Sequence, residues 1–451
     1  MKAENSDNRD CPQRDSAEHE GHAEVRRSFR SIWKEKDSAR PELLEKILYK
    51  DNLNRAYKRV KANRGAPGID GITVDEIGAY LRENQEAIIE RIYKGKYTPD
   101  PVRRKEIPKA DDGVRKLGIP TVKDRIIQQA ISQQLMPIYE AQFSDGSFGY
   151  RPGRSAKDAI TKVKEYAEEG YRYAVSIDLS KYFDTLNHEL LLNILRRNVK
   201  DERVIQWIKR YLKSGVLEDG VVVDTEEGSP QGGNLSPLLA NVYLNEFDEE
   251  FQKRGVPFVR YADDIVLLAK SERAAKRLLK TSTNYLEGKL KLTVNKDKSR
   301  VVSVFAIRNF KFLGFALGRN EKGIYVRVHP KSWKKFKAKL KELSSRRSVQ
   351  SIRPALDKIK VYARGWLNYY GLADMKKTIE DINSWLYHRI RMCIWKQWKK
   401  PKTKMRNLLK LGVSNDLAMQ AANSRRGYWF VTHSCGQHSF NKRKTDTQWL
   451  L

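Results

Sequence analysis

The stretch Phe258-Val259-Arg260-Tyr261-Ala262-Asp263-Asp264-Ile265-Val266-Leu267-Leu268 constrains this chain more than any other. Apolar, β-branched and aromatic residues flank a short acidic centre, which reads as two strands joined by a tight turn with both carboxylates at its tip. A plain explanation is available, because aspartate is an ordinary turn residue that bonds nearby backbone. Two features elsewhere argue for more. The chain is strongly basic, and a third aspartate, Asp178, closes a strand far upstream. Crowded carboxylates repel one another unless a cation neutralises them. In a protein built to hold polyphosphate, the natural cation is Mg²⁺, which prefers oxygen ligands.

The chain has 451 residues, enough for two or three domains, and 40% of them are hydrophobic. Its 88 Lys and Arg outnumber 56 Asp and Glu, giving a net charge of +32. Such a surplus speaks about partners rather than fold. Nucleic acid leads, since each neutralised phosphate releases counterions; acidic membrane surfaces compete. No apolar run approaches the roughly 20 residues that span a bilayer. The polar, acid-bearing N-terminus is unlike a secretory signal. Cys11, Cys393 and Cys435 are far apart and odd in number, which fits a reducing compartment without disulfides.

Residues 1–40 are polar and poor in apolar side chains, predicting a disordered tail with a short helix around Val25–Trp33. Helical spacing begins after Pro41, breaks at Gly65–Gly71, and resumes with Ile77, Tyr80, Leu81, Ile88 and Ile89. Prolines at 99, 101, 108 and 120 predict extended chain, and Asp112-Gly113 predicts a hairpin with Lys109 and Arg115 on opposite sides of its turn. Two cations on one ribbon suit a triphosphate, although from this element alone an exposed basic hairpin is the favoured explanation. Helices are expected over 125–139 and 156–167, separated by the turn-rich Phe148–Ser155, where Arg151 and Arg154 suit nucleic-acid backbone. Alternation in Tyr173–Asp178 puts Val175 and Ile177 on one face and Ser176 and Asp178 on the other. Asp178 therefore reads either as the cap of a following helix or as a ligand facing Asp263 and Asp264. Gly228–Pro237 is a Gly- and Pro-rich loop that starts a helix over 238–247, and such loops also offer free N–H groups to phosphate. A helix over 273–290, a strand at 291–294 and a strand pair within 301–315 follow. Beyond about residue 330 come long basic helices whose aromatics, Trp333, Phe336, Trp366 and Trp385 among them, recur at core spacing. His433, Cys435 and His438 lack a fourth partner at a zinc spacing and are assigned no metal.

Taken in order, Lys109 and Arg115, Phe148–Ser155, Asp178 with Phe183-Asp184, Ser229–Gly233, Tyr261–Asp264 and Lys311–Phe315 resemble the sequence blocks of reverse transcriptases. Arg364–Tyr370 and Arg391–Trp398 are similar to the maturase, or thumb, segment of the enzymes encoded by bacterial group II introns, in the branch without a C-terminal endonuclease. The resemblance runs from about residue 41 to about 420. It implies an α+β right-hand polymerase, with fingers and a palm built on a small antiparallel sheet, followed by an α-helical thumb. The implied division is a tail to residue 40, an N-terminal extension and the start of the fingers over 41–100, fingers and palm over 101–325, thumb over 326–398, and a basic DNA- or RNA-binding segment over 399–451. It also implies two Mg²⁺ ions, with Mn²⁺ able to substitute, held by Asp178, the Leu179 backbone carbonyl, Asp263 and Asp264. Lys109, Arg115 and Gln231 would hold the incoming dNTP, and Phe183 would act as a steric gate against a 2′-hydroxyl. Arg151, Arg154, Lys311 and Gly314 would meet primer and template. Expected partners are the intron RNA, an RNA template with a DNA or RNA primer, target DNA and dNTPs, without a membrane, in the bacterial cytoplasm.

The expected activity is RNA-directed DNA synthesis together with help in splicing the intron RNA. Two alternatives share much of this sequence: a maturase that only binds RNA, and a host-adapted reverse transcriptase serving defence or repair. The three intact aspartates speak against the first. A generic DNA-binding protein would need a groove-reading module, and none is evident in the sequence.

Overall fold

The structure is a computed structural model that describes residues 42–108, 114–218, 221–223, 227–229, 232–347 and 351–432. The N-terminal tail, Lys109, Gln231 and the His433/Cys435/His438 group lie outside these residues, as does the side chain of Arg115.

Three short helices begin the described chain: α1 (Leu43–Leu48), α2 (Lys50–Ala62) and α3 (Ile77–Tyr93). The predicted hairpin follows as β1 (Val102–Pro108) and β2 (Val114–Ile119), antiparallel, with Pro108 opposite Val114. Helix α4 (Val122–Glu140) starts three residues before its apolar stripe predicts, because the Thr121 side chain caps it by accepting from the Asp124 N–H. Helix α5 (Ala156–Glu168) opens on a reciprocal capping box between Ser155 and Asp158. Then come β3 (Tyr173–Ile177), a 3₁₀ turn over Tyr182–Asp184, α6 (His188–Asn198), α7 (Glu202–Leu212), β4 (Val216–Glu218) and β5 (Val221–Val223). Helix α8 (Ser236–Lys253) leads into β6 (Phe258–Tyr261) and β7 (Asp264–Ala269), and α9 (Glu272–Gly288) into β8 (Arg300–Ser303).

The central sheet has the order β6-β7-β3-β8 and is antiparallel throughout. Period-two alternation sends its side chains into two different cores. Val175, Ile177, Ile265 and Leu267 join the large helical core shared with α1 to α4 and α6 to α9. Ala174, Val259, Val266 and Leu268 join a second core with Ile160 and Val163 of α5. A sheet covered on both faces gives a rigid base to whatever stands at its end.

Two strand pairs depart from the sequence expectation. Strands β4 and β5 extend the β1–β2 hairpin into a second sheet, ordered β2-β1-β4-β5, in which β1 and β4 run parallel. A hairpin of β9 (Phe315–Asn320) and β10 (Gly323–Val328) follows the 312–315 turn, and β10 crosses the expected boundary at residue 325. The change to helices comes instead at α10 (Pro330–Leu343). The strand expected at 291–294 is reduced to a single bridge between Val294 and Leu179.

Helices α10, α11 (Ile352–Tyr370) and α12 (Lys376–Gln397) form their own core around Phe336, Leu340, Ile359 and Leu386. Phe336 stacks on Trp366 at 4.1 Å between ring centres, so these aromatics are core, as their spacing predicts. A small cluster beyond it joins Trp395 of α12 to α13 (Pro401–Lys410) and α14 (Asn415–Asn423). Among the described residues, no helix is long and apolar enough to cross a membrane.

Candidate active site

Strand register brings the aspartates together. The β3–β7 ladder ends at the pair Ile177–Ile265, so Asp178 and Asp264 are the next residues across from one another. Tyr261 pairs with Asp264, which makes Ala262 and Asp263 the two central residues of the β6–β7 turn. This corrects the sequence reading, since only Asp263 is at the tip and Asp264 is the first residue of β7. Ala262 has φ +58° while Asp263 does not share the left-handed conformation, the φ pattern of a type II′ hairpin turn.

Asp178 is not a helix cap: the 3₁₀ turn after it is preceded by Lys181, without a side-chain cap. Its backbone N–H donates to Ser299 Oγ at 3.0 Å, and its carbonyl accepts from the Asn295 N–H at 2.8 Å. Leu179 is fixed between these contacts by its bridge to Val294. The electrostatics of the cluster converge on Asp264. Burial within the cleft, and then the charges of Asp263 and Asp178, push its carboxyl up to about 6, against the pull of Lys311. Asp264 nonetheless keeps a large solvent-exposed surface, so solvent screens part of that effect.

The three carboxylates, with the Leu179 carbonyl that the family resemblance adds, would make an all-oxygen donor set, which fits a hard divalent cation. Among the described residues, the acidic set whose oxygens all lie within 4.8 Å is a different one, Glu42, Glu45 and Asp201. Arg203 fills that set, with bonds of 2.5 to 3.0 Å to all three residues. The three site aspartates stand wider, as mutual repulsion favours.

Beside Asp264 opens a cleft of about 540 Å³, lined by Ser176, Lys311, Gly314, Lys335, Trp366 and Tyr370 among others. Its edge is the 312–315 turn, a two-residue hairpin closed by N–H···O bonds in both directions between Phe312 and Phe315. Leu313 and Gly314 both have positive φ, +51° and +84°. The turn is clasped from the helical domain: His329 N–H and Ser332 Oγ donate to the Gly314 carbonyl, and Tyr369 Oη donates to that of Leu313. Lys311 is exposed at this edge.

Phe183 sits half-buried on the 3₁₀ turn, its ring 5.3 Å from that of Tyr182, and its carbonyl accepts from the Ser229 N–H at 2.6 Å. Ser229 is thus tied directly to the Phe183 backbone. Arg115 lies on β2 opposite Ile107.

The structure gives Arg151 a different use from the one the sequence suggests. Its guanidinium is buried, pairs with Glu140 at 2.7 Å, and donates to the carbonyls of Ser144 and Ser147. It holds the shape of the 144–151 loop rather than facing solvent. Arg154 binds Asp145 beside it, half-exposed. That loop in turn braces the aspartate turn. The Phe148 N–H donates to the Arg260 carbonyl and the Arg260 N–H to that of Gly146, and Gly149 lies so close that a Cβ would stand 2.2 Å from the Ala262 nitrogen.

Residues 107–317 match the family described as reverse transcriptase (RNA-dependent DNA polymerase), and residues 333–412 match the group II intron, maturase-specific domain. Protein YkfC of Escherichia coli (strain K12) is 34% identical over 61% of this chain and 83% of its own length. The chain belongs to the group II intron reverse transcriptase–maturase family. Group II intron-encoded protein LtrA of Lactococcus lactis subsp. cremoris is 29% identical over 70% of this chain, which spans 61% of that protein. The putative COX1/OXI3 intron 2 protein of Saccharomyces cerevisiae is 28% identical over 58% of the chain and 37% of its own length. The sheet carrying the three aspartates lies within the reverse transcriptase match. Strands β2, β4 and β5 lie within the same match, and α10 to α12 overlap the maturase-specific match. Enzymes of this family act on nucleic acid and use divalent metal ions.

Proposed function

We propose that this chain is an RNA-directed DNA polymerase that extends a primer by nucleotidyl transfer on two Mg²⁺ ions, or Mn²⁺ in their place, and that it also binds its own group II intron RNA to aid splicing and movement to target DNA. The observation that carries this reading is the convergence of Asp178, Asp263 and Asp264 at one end of the central sheet, with the Asp264 carboxyl pushed up to about 6 by its surroundings and its two neighbours. A carboxylate so placed is most stable opposite a cation.

Asp178, the Leu179 carbonyl, Asp263 and Asp264 would be the ligands. Divalent metal, when bound, supplies activation of the primer 3′-hydroxyl and neutralises charge on the triphosphate. The protein's own work is then positioning. Phe183 closes the space beneath the sugar, with Tyr182 and the Ser229 contact fixing its backbone. Lys109, Arg115 and Gln231 would hold the dNTP from the fingers and the 229–233 loop. Lys311 and the Gly314 turn flank the cleft where a primer terminus would lie, and Arg154 is available to the template. Arg151 contributes by holding its loop. The basic segment beyond residue 398 would contact DNA or RNA, and the setting would be the bacterial cytoplasm.

The test is primer extension on an RNA template with dNTPs and Mg²⁺. Asp263→Asn and Asp178→Asn are expected to abolish cDNA synthesis while RNA affinity stays within about twofold, since one neutral substitution removes no phosphate contact. Near-normal cDNA from either variant would overturn the assignment.

A further inference from the structure

The residue two positions before the catalytic turn is a charge with no exposed surface at all. Arg260 on β6 is fully buried, and so is its partner Asp248 on α8. Burying an ion pair is a poor way to gain stability, because desolvation of both groups offsets their attraction, and an apolar pair of similar volume often does as well. The geometry shows another use for it. Arg260 Nε donates to both Asp248 oxygens at 2.9 Å, and Nη2 donates to Oδ2 at 2.5 Å. This leaves Nη1 aimed elsewhere. It donates to the Ala262 carbonyl at 3.1 Å and to Asn241 Oδ1 at 2.8 Å.

Those two acceptors define the catalytic turn. The Ala262 carbonyl belongs to the peptide bond that leads into Asp263, and Ala262 is held in the left-handed conformation, which a residue with a Cβ adopts only under constraint. Asn241, also fully buried, uses its amide nitrogen to donate to the Gly149 carbonyl at 2.7 Å. Gly149 is the residue whose backbone closes on Ala262 from the other side. One planar guanidinium, oriented by Asp248, therefore grips the turn directly and, through Asn241, also grips the loop packed over it. A lysine offers no such fixed fork.

We propose that Arg260, oriented by Asp248 and linked through Asn241 to Gly149, is a positioning residue that sets the placement of Asp263 and Asp264 for metal binding and nucleotidyl transfer. The proposal rests on the polymerase reading above. Asn241→Ala cuts the link while leaving the Arg260–Asp248 pair in place. Arg260→Met combined with Asp248→Leu replaces the pair by apolar groups that keep the core filled. In each full-length variant, the dNTP-addition rate is followed against Mg²⁺ concentration, with dNTP KM, RNA affinity and melting temperature measured alongside.

Both variants are expected to melt within a few degrees of wild type and to bind RNA normally. Their kcat is expected to fall about 10- to 100-fold with dNTP KM little changed, the scale of a small misplacement of reacting groups, and the Mg²⁺ midpoint is expected to rise. Arg260→Lys, which keeps the charge, is expected to remain equally impaired. A folded double variant with wild-type kcat and Mg²⁺ midpoint would overturn the proposal, as would full activity in Arg260→Lys. A failure of the polymerase reading is distinguishable, because wild type would then synthesise no cDNA.

Discussion

Asp264 holds its proton more tightly in the folded protein than in the unfolded chain, with its carboxyl raised from 3.8 to about 6. The folded state therefore binds more protons between these values, and without a cation its stability falls as pH rises through that window. Asp264→Asn removes the penalty. It is expected to stabilise the metal-free protein by on the order of 1 kcal/mol at around pH 7.5, after discounting for solvent screening, and to have no effect at around pH 3.5. Thermal melts at the two pH values check this. With the proposed ligand set, the Mg²⁺ concentration needed for half-maximal cDNA synthesis is expected to climb as pH drops below about 6, because proton and metal would compete for the Asp264 carboxylate. The aspartates themselves were legible from residue type, alternation and order along the chain. The role of Arg151 was not, since a cation between turn residues reads as solvent-facing until Glu140 is seen beneath it. Arg260 carried a usable signal in the sequence: a lone charge inside an otherwise apolar strand must find a buried partner or leave the core.

The turn of Leu313 and Gly314 shows what one short element can require of its neighbours. A Cβ on Gly314 would stand 2.3 Å from the Tyr370 hydroxyl and 3.2 Å from Ser332 Oγ, in a residue whose φ is +84°. Gly314→Ala is expected to cost about 1–3 kcal/mol from strain at positive φ, with more from the clash. Adding Tyr370→Phe should recover only the clash, so chemical denaturation of the single and double variants separates the two contributions. Other elements divide by length. The long periodic helices and the β6–β7 hairpin could be read because many residues repeat one pattern. Strands β4 and β5 have three residues each, too few for a period, and the valines of β5 are exposed at 50 to 64%. The place of β4 is set by pairing with β1, a partner more than one hundred residues upstream, and β5 follows by pairing with β4. The β9–β10 hairpin went unread for another reason. Its Gly318, Arg319 and Asn320 interrupt the alternation just where the strand emerges from the core.

At the level of the whole molecule, a four-stranded sheet covered on both faces supports the carboxylates, and the C-terminal helices reach back to hold the turn at the edge of the cleft. The order of the motifs made the architecture legible. Contacts between the sheets and the C-terminal helices did not follow from that order, because they depend on side chains such as Tyr369 whose partners are distant in sequence. The net charge of +32 predicts a steep salt dependence of RNA binding. Affinity should fall at least about tenfold between about 50 and 200 mM monovalent salt, as several phosphate contacts require, and filter binding across that range would show it. The latch of Arg203 complicates how such a titration is read. Its guanidinium fastens Glu42 and Glu45, at the start of the first helix, to Asp201, and it is 42% exposed. Ions in solution weaken contacts of that kind, whereas Leu44, Ile47 and Leu48 on the buried side of the helix keep their hold. High salt would thus leave α1 seated by its greasy face but untied at its rim, and a fluorophore attached near residue 45 would report that loosening separately from the release of RNA.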